Sequence, residues 1–74
     1  MKKYYVVEFD EDTGLPNICI NNTYLVYVRR PGAIVNRLEA RLGDRLLSCT
    51  IRKATFGEVL RLRNRAIKRI TRIA

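Results

Sequence analysis

The chain contains no histidine and a single serine, Ser48. Without an imidazole, a serine or cysteine nucleophile lacks its usual general base, which excludes a conventional catalytic triad. Neither Cys19 nor Cys49 has an activating group beside it in sequence, and two cysteines so far apart cannot cage a metal ion. Each sits in an apolar, strand-like run and is expected to be a reduced packing residue. No apolar run approaches the roughly 18 residues that span a bilayer, and the N-terminal lysines precede no long apolar stretch. Neither a membrane segment nor a leader is therefore expected, and the protein reads as cytoplasmic. Repeats, low-complexity tracts and linkers are also absent, so residues 1–74 are read as one small basic domain. Cores of this size yield only a few kcal/mol, which keeps a homodimer open.

Acidic residues are scarce where they would balance charge. The chain carries 15 Lys and Arg against 7 Asp and Glu, a net charge of +8. Residues 1–28 hold two basic and four acidic side chains, whereas residues 29–74 hold thirteen and three. Eleven of the fifteen cations are arginine, whose planar fork matches phosphate oxygens in pairs. The early acids Glu8, Asp10, Glu11 and Asp12 are of the type that holds Mg²⁺ in nucleases. Gly14 is followed by Leu15-Pro16 rather than by further ligands, so a solvated turn is expected. No metal, cofactor or enzymatic activity is anticipated.

Strand-forming residues dominate the first third. Lys3 to Phe9 alternates, with Tyr5, Val7 and Phe9 on one face and Tyr4, Val6 and Glu8 on the other. Asp10 to Asn17 stacks turn formers, and Ile18 to Arg30 resumes strand character, with a bend or bulge expected at Asn21-Asn22. Pro31-Gly32 stops that strand. Ile34, Val35, Leu38 and Leu42 then recur at helical spacing, flanked by Arg37 and Arg41, with Gly43 as the C-terminal cap of a helix over about 32–42. Arg45 to Lys53 forms a third strand, with Leu47, Cys49 and Ile51 expected inward and Ser48, Thr50 and Arg52 outward.

Thr55-x-x-Glu58 is a capping box that starts a second helix. Continued to Ala74 at about 100° per residue, that helix gathers Phe56, Val59, Leu60, Ala66, Ile67, Ile70 and Ile73 on one side. Arg61, Arg65, Lys68, Arg69 and Arg72 line the other side. Arg63 falls awkwardly among the apolar residues, where it must snorkel, pair or enter an interface. The expected fold is α+β, in the order β-β-α-β-α: a three-stranded, mostly antiparallel sheet with two helices packed on one face. A right-handed crossover through the first helix sets the third strand beside the first.

Beyond Glu58 the last sixteen residues contain no acid, so the basic stripe repels itself until an anion arrives. The partner this implies is nucleic acid, DNA or RNA undecided, held by phosphate contacts. Arg29-Arg30 and Arg52-Lys53 end strands, and an antiparallel third strand brings both pairs to one end of the sheet, extending the patch. The alternative is a small interaction module or inhibitor steered onto an acidic protein. Tyr4, Tyr5, Tyr24 and Tyr27 lie in the hairpin, where tyrosines can stack bases. Tyrosine is also an ordinary strand former, and the glycine-aromatic pattern of the common RNA-recognition sheet motif is absent.

Overall fold

The computed structural model describes residues 1–63 and the course of the backbone over 67–72. The first strand, β1 (Lys3–Asp12), and the second, β2 (Ile18–Val28), form a hairpin in continuous antiparallel register from Lys3↔Val28 to Asp12↔Cys19. The turn between them is shorter than expected, because Asp10, Glu11 and Asp12 belong to β1. It is closed by local hydrogen bonds. The Gly14 N–H donates to Asp12 Oδ1 at 3.0 Å, and the Thr13 hydroxyl donates to the Ile18 carbonyl at 2.9 Å. Asn21 and Asn22 sit within the regular strand without a bulge. The Asn21 side chain donates to Asp10 Oδ1 at 2.8 Å across the hairpin, and the Ser48 hydroxyl donates to the other oxygen of that carboxylate.

Helix α1 (Pro31–Leu42) starts with proline at its first position, where the missing N–H costs nothing. It stops at Gly43, whose φ of 55° and ψ of −127° suit only glycine. A single 3₁₀ turn, Gly43–Arg45, leads into β3 (Leu46–Lys53). Strand β3 pairs antiparallel to β1, on the side away from β2. A register shift at Asp10/Glu11 changes which leucine faces inward. Leu46 packs against the core, while Leu47, expected inside, is half exposed.

Residues opposite one another across a ladder share a face. Val7 and Phe9 of β1 share one face with Tyr24 and Val26 of β2 and with Cys49 and Ile51 of β3. Ile34 and Leu38 of α1 cover that face and complete its buried cluster. Val6 lies on the opposite face with Leu25 and Arg52, and it too is buried. There α2 (Phe56–Leu62) lies, tied down by Glu58, which accepts two hydrogen bonds from the Arg52 guanidinium. Leu62 is the buried residue of α2. The α+β class and the β-β-α-β-α order hold through α2. The helices, expected together on one face, lie on opposite faces of the sheet.

The second helix is also much shorter than its capping box suggested. The Thr55 hydroxyl accepts from the Glu58 N–H at 3.2 Å, and the Glu58 carboxylate accepts from the Thr55 N–H at 3.0 Å. The box therefore fixes the start. The helix nevertheless ends at Leu62, with Arg63 exposed at its C-cap rather than wedged among apolar residues. Phe56 and Leu60, assigned to the inward side, are 79% and 53% exposed. Residues 67–72 form a fourth strand, β4 (Ile67–Arg72), antiparallel to β2 and paired from Thr23↔Ile67 to Ile18↔Arg72. The sheet order is β3-β1-β2-β4, four strands instead of three. Two forces oppose a long helix here. Cations without acidic i,i+4 partners repel one another along it, and β-branched Ile67, Ile70 and Thr71 fit an edge strand. The open edge of β2 supplies the backbone partners.

Gly43→Ala should cost about 1–3 kcal/mol through backbone strain alone, since the space around a Cβ at Gly43 is open. Thr55→Ala should cost about 1 kcal/mol by unmaking the cap. Urea denaturation of the two variants beside the parent checks both values.

Candidate functional site

Three adjoining concavities run along the β2 side of α1 and share walls, making one trough. The first and second share Phe9, Tyr24, Leu38 and Arg41, and the second and third share Ile34 and Arg37. The floor is the apolar cluster of the sheet. One wall is built by helical spacing, because Arg37 and Arg41 are one turn apart, about 6 Å along the axis, and Arg45 continues their line past the Gly43 cap. The far end is closed by Lys2, Arg29 and Arg30, where β1 and β2 begin and end. All six cations are exposed. The single carboxylate in the lining is Glu11, which Arg45 meets at 3.7 Å.

Electrostatics within the trough follow from this crowding. Burial pushes the Tyr24 hydroxyl above its ordinary value, as does the neighbouring Cys49 thiol, while Arg37 and Arg41 pull it back down. Tyr24, Arg37 and Arg41 line the same concavity. Tyr24 meets Phe9 edge to face, with centroids 6.0 Å apart and planes at 87°. On the Val6 face, Tyr4 and Tyr27 lie opposite one another with ring centroids 4.6 Å apart and planes tilted by 35°. Tyr27 also borders the far end of the trough, with the Lys2 ammonium 5.9 Å from the centre of its ring. Chemically, the trough offers several uncompensated cations above an apolar and aromatic floor, an arrangement that holds a polyanion and packs flat groups between its charges.

The cations singled out in the sequence are not brought together as one stripe. Arg29 and Arg30 enter the trough, and Lys53, opposite Tyr5, reaches the same end of the sheet. Arg52 stands at that end on the opposite face, committed to Glu58. Arg61 is exposed on α2, on that opposite side as well. Lys68, Arg69 and Arg72 occupy β4 at positions opposite Asn22, Asn21 and Ile18, and Arg65 lies outside the described residues. A strand repeats every two residues rather than every 3.6, so the spacing that aligned these five on one helix no longer aligns them. Arg37, Arg41 and Arg45 were passed over as site residues, although their four-residue spacing was visible. What the spacing alone did not carry was the trough beside them.

Other candidate chemistries take definite places. Cys19 and Cys49 are free thiols, and their register positions opposite Asp12 and Phe9 put them on opposite faces of the sheet. Burial, followed by the Glu39 charge, raises the Cys49 thiol above its ordinary value, which disfavours the nucleophilic thiolate. Among the described residues no group of three or more cysteine or carboxylate side chains is placed to hold a metal ion. Among them, too, no helix is long and apolar enough to cross a membrane. No protein-family model matches the chain, and no curated protein or solved structure is significantly similar to it.

The Arg52 guanidinium, helped by the Thr55 N–H, holds the Glu58 carboxyl at about 2, against an ordinary value of 4.5. A carboxylate depressed on folding contributes stability that is complete above its unfolded value and disappears as pH falls through the folded one. The stability difference between the parent and Glu58→Gln should therefore be full above pH 4.5 and close towards pH 2. Urea midpoints of both proteins across that range measure it.

Proposed function

We propose that the chain binds nucleic acid without catalysing a reaction, holding phosphates in the trough along α1. The observation that carries this reading is the lining: six cations, one carboxylate already met by Arg45, and an aromatic floor. Ordinary solvated surfaces interleave charges of both signs, because like charges at this spacing repel. Sets of arginines set one turn apart match a repeating anion, and their forks grip phosphate oxygens in pairs. Phosphate contacts position a ligand and carry no sequence information by themselves.

In this reading Arg29, Arg30, Arg37 and Arg41 are the principal contacts, with Lys2 and Lys53 extending the field at the strand ends. Arg52 is a positioning residue, since its guanidinium is spent on α2. Lys68, Arg69 and Arg72 lengthen the basic region along the edge of β2. A second reading, docking on an acidic protein, is favoured by one observation. Phe56 and Leu60 are exposed one turn apart on α2, beside Arg61. Purification separates the two: a nucleic-acid binder carries absorbance near 260 nm that high salt removes.

Because bound phosphates release counterions, affinity should fall with salt at a log–log slope of about −0.9 per contact on duplex and −0.7 on single strands. Arg37→Ala and Arg41→Ala should each reduce that slope by roughly 0.7 to 0.9. With no histidine in the chain, binding should be nearly flat between about pH 5 and 8. Filter binding or anisotropy over a salt series tests this. A salt-insensitive complex, or unaltered binding when Arg29, Arg30, Arg37 and Arg41 are all neutralised in a folded protein, overturns it.

A further inference from the structure

The part of the trough at the C-terminal end of α1 has a volume of about 480 Å³, within the range of small-ligand sites. Phe9, Leu38 and Leu42 make its apolar walls, and Asn22, Tyr24 and Arg41 supply polar groups. Asn22 is the anomaly. It sits on β2 opposite Phe9, on the face covered by α1, and is 5% exposed, the one buried polar side chain among the described residues. An aliphatic residue there would extend the apolar cluster without any hydrogen-bonding demand. A carboxamide brings two donor hydrogens and an acceptor that burial penalises when they go unmet. One donor goes to the Ile20 carbonyl, from Nδ2 at 3.3 Å. The side chain lines the cavity, and among the described residues no buried side-chain nitrogen or oxygen is left without a partner.

One donor and one acceptor side by side on a planar amide complement the N7 acceptor and N6 donor of adenine. The half-buried Tyr24 ring, held edge-on to Phe9, offers the same cavity an aromatic surface, and Arg41 and Arg45 stand beside it for the flanking phosphates. A base that is stacked inside a duplex cannot enter a cavity beneath a helix, whereas an unpaired base is free to do so. We propose that this cavity takes one unpaired adenine, read by the Asn22 amide, and that the partner is therefore single-stranded. This rests on the nucleic-acid reading above and adds the strandedness and the base.

The test is fluorescence anisotropy with homopolymers of A, C and U or T at matched length and salt, in ribo and deoxy series, beside an A-containing duplex. A good amide–adenine pair discriminates by about 1–3 kcal/mol, so the A homopolymer should bind roughly tenfold more tightly than the others. The duplex should bind more weakly than the A single strand. Replacing adenine by 7-deazaadenine removes the acceptor at position seven and should abolish the preference, with no change to the protein. Asn22→Leu, checked for folding by circular dichroism, should collapse the ranking of the homopolymers. Equal affinity for all homopolymers, an undiminished preference with 7-deazaadenine, or a duplex that binds as tightly as the A strand overturns the adenine cavity and leaves phosphate binding standing. Failure of every oligomer to bind at low salt overturns both.

Discussion

Val6 and Val7 are neighbours in β1, point to opposite faces of the sheet, and are both buried, at 1% and 0% exposure. That single constraint requires a covering layer on each face, and one helix lies on each. The crossover after β2 supplies α1 to the face of Val7. The segment after β3 must then return across the face of Val6, which places α2 there. Each fully buried aliphatic side chain is worth about 1.5–3 kcal/mol. The position of β1 at the centre of the hydrogen-bonded order follows from the same demand, because an edge strand could not bury both faces so completely.

The helices are held by different means, and that difference bears on where charge is free to act. Helix α1 is anchored by Ile34 and Leu38, so its arginines owe nothing to folding and remain exposed along the trough. Helix α2 is seven residues long, too short to persist unaided. Its capping box, the Arg52–Glu58 contact and the buried Leu62 fasten it, while Phe56 and Leu60 stay exposed. One guanidinium is thus spent on structure. Glu58 takes part in the cap and in the ion pair together, which is why its carboxyl is held so low.

Much of the local structure was legible in the residues. The alternation of Tyr5, Val7 and Phe9, the Pro31 start and Gly43 stop of α1, and the Thr55/Glu58 box each depend on chemistry within a few positions. Strand β3 beside β1 followed from the short crossover. The misreadings are all non-local. Leu46 and Leu47 exchange roles because of a register shift against β1, and alternation along a single strand does not encode where its partner slips. Residues 67–72 have a helical period in their isoleucines and cations. They also have β-branched side chains, and the choice depends on an open edge that only the assembled hairpin creates. The trough was missed for the same reason: Arg37 and Arg41 were visible as a pair, but their neighbours Tyr24, Arg29 and Lys2 come from the hairpin and its ends.

By itself, the sequence determined the class of the fold, the limits of α1, the start of α2 and the excess of arginine beyond residue 28. Each of these is a matter of composition or of hydrogen bonds between near neighbours. Tertiary structure alone decided the opposite placement of the helices, the end of α2, the recruitment of β4 and which cations share a surface. These depend on burial and on backbone partners far apart in the chain. A free strand edge outweighs the weak intrinsic preference of six residues for a helix, and the two buried faces of β1 leave each helix a single place to go.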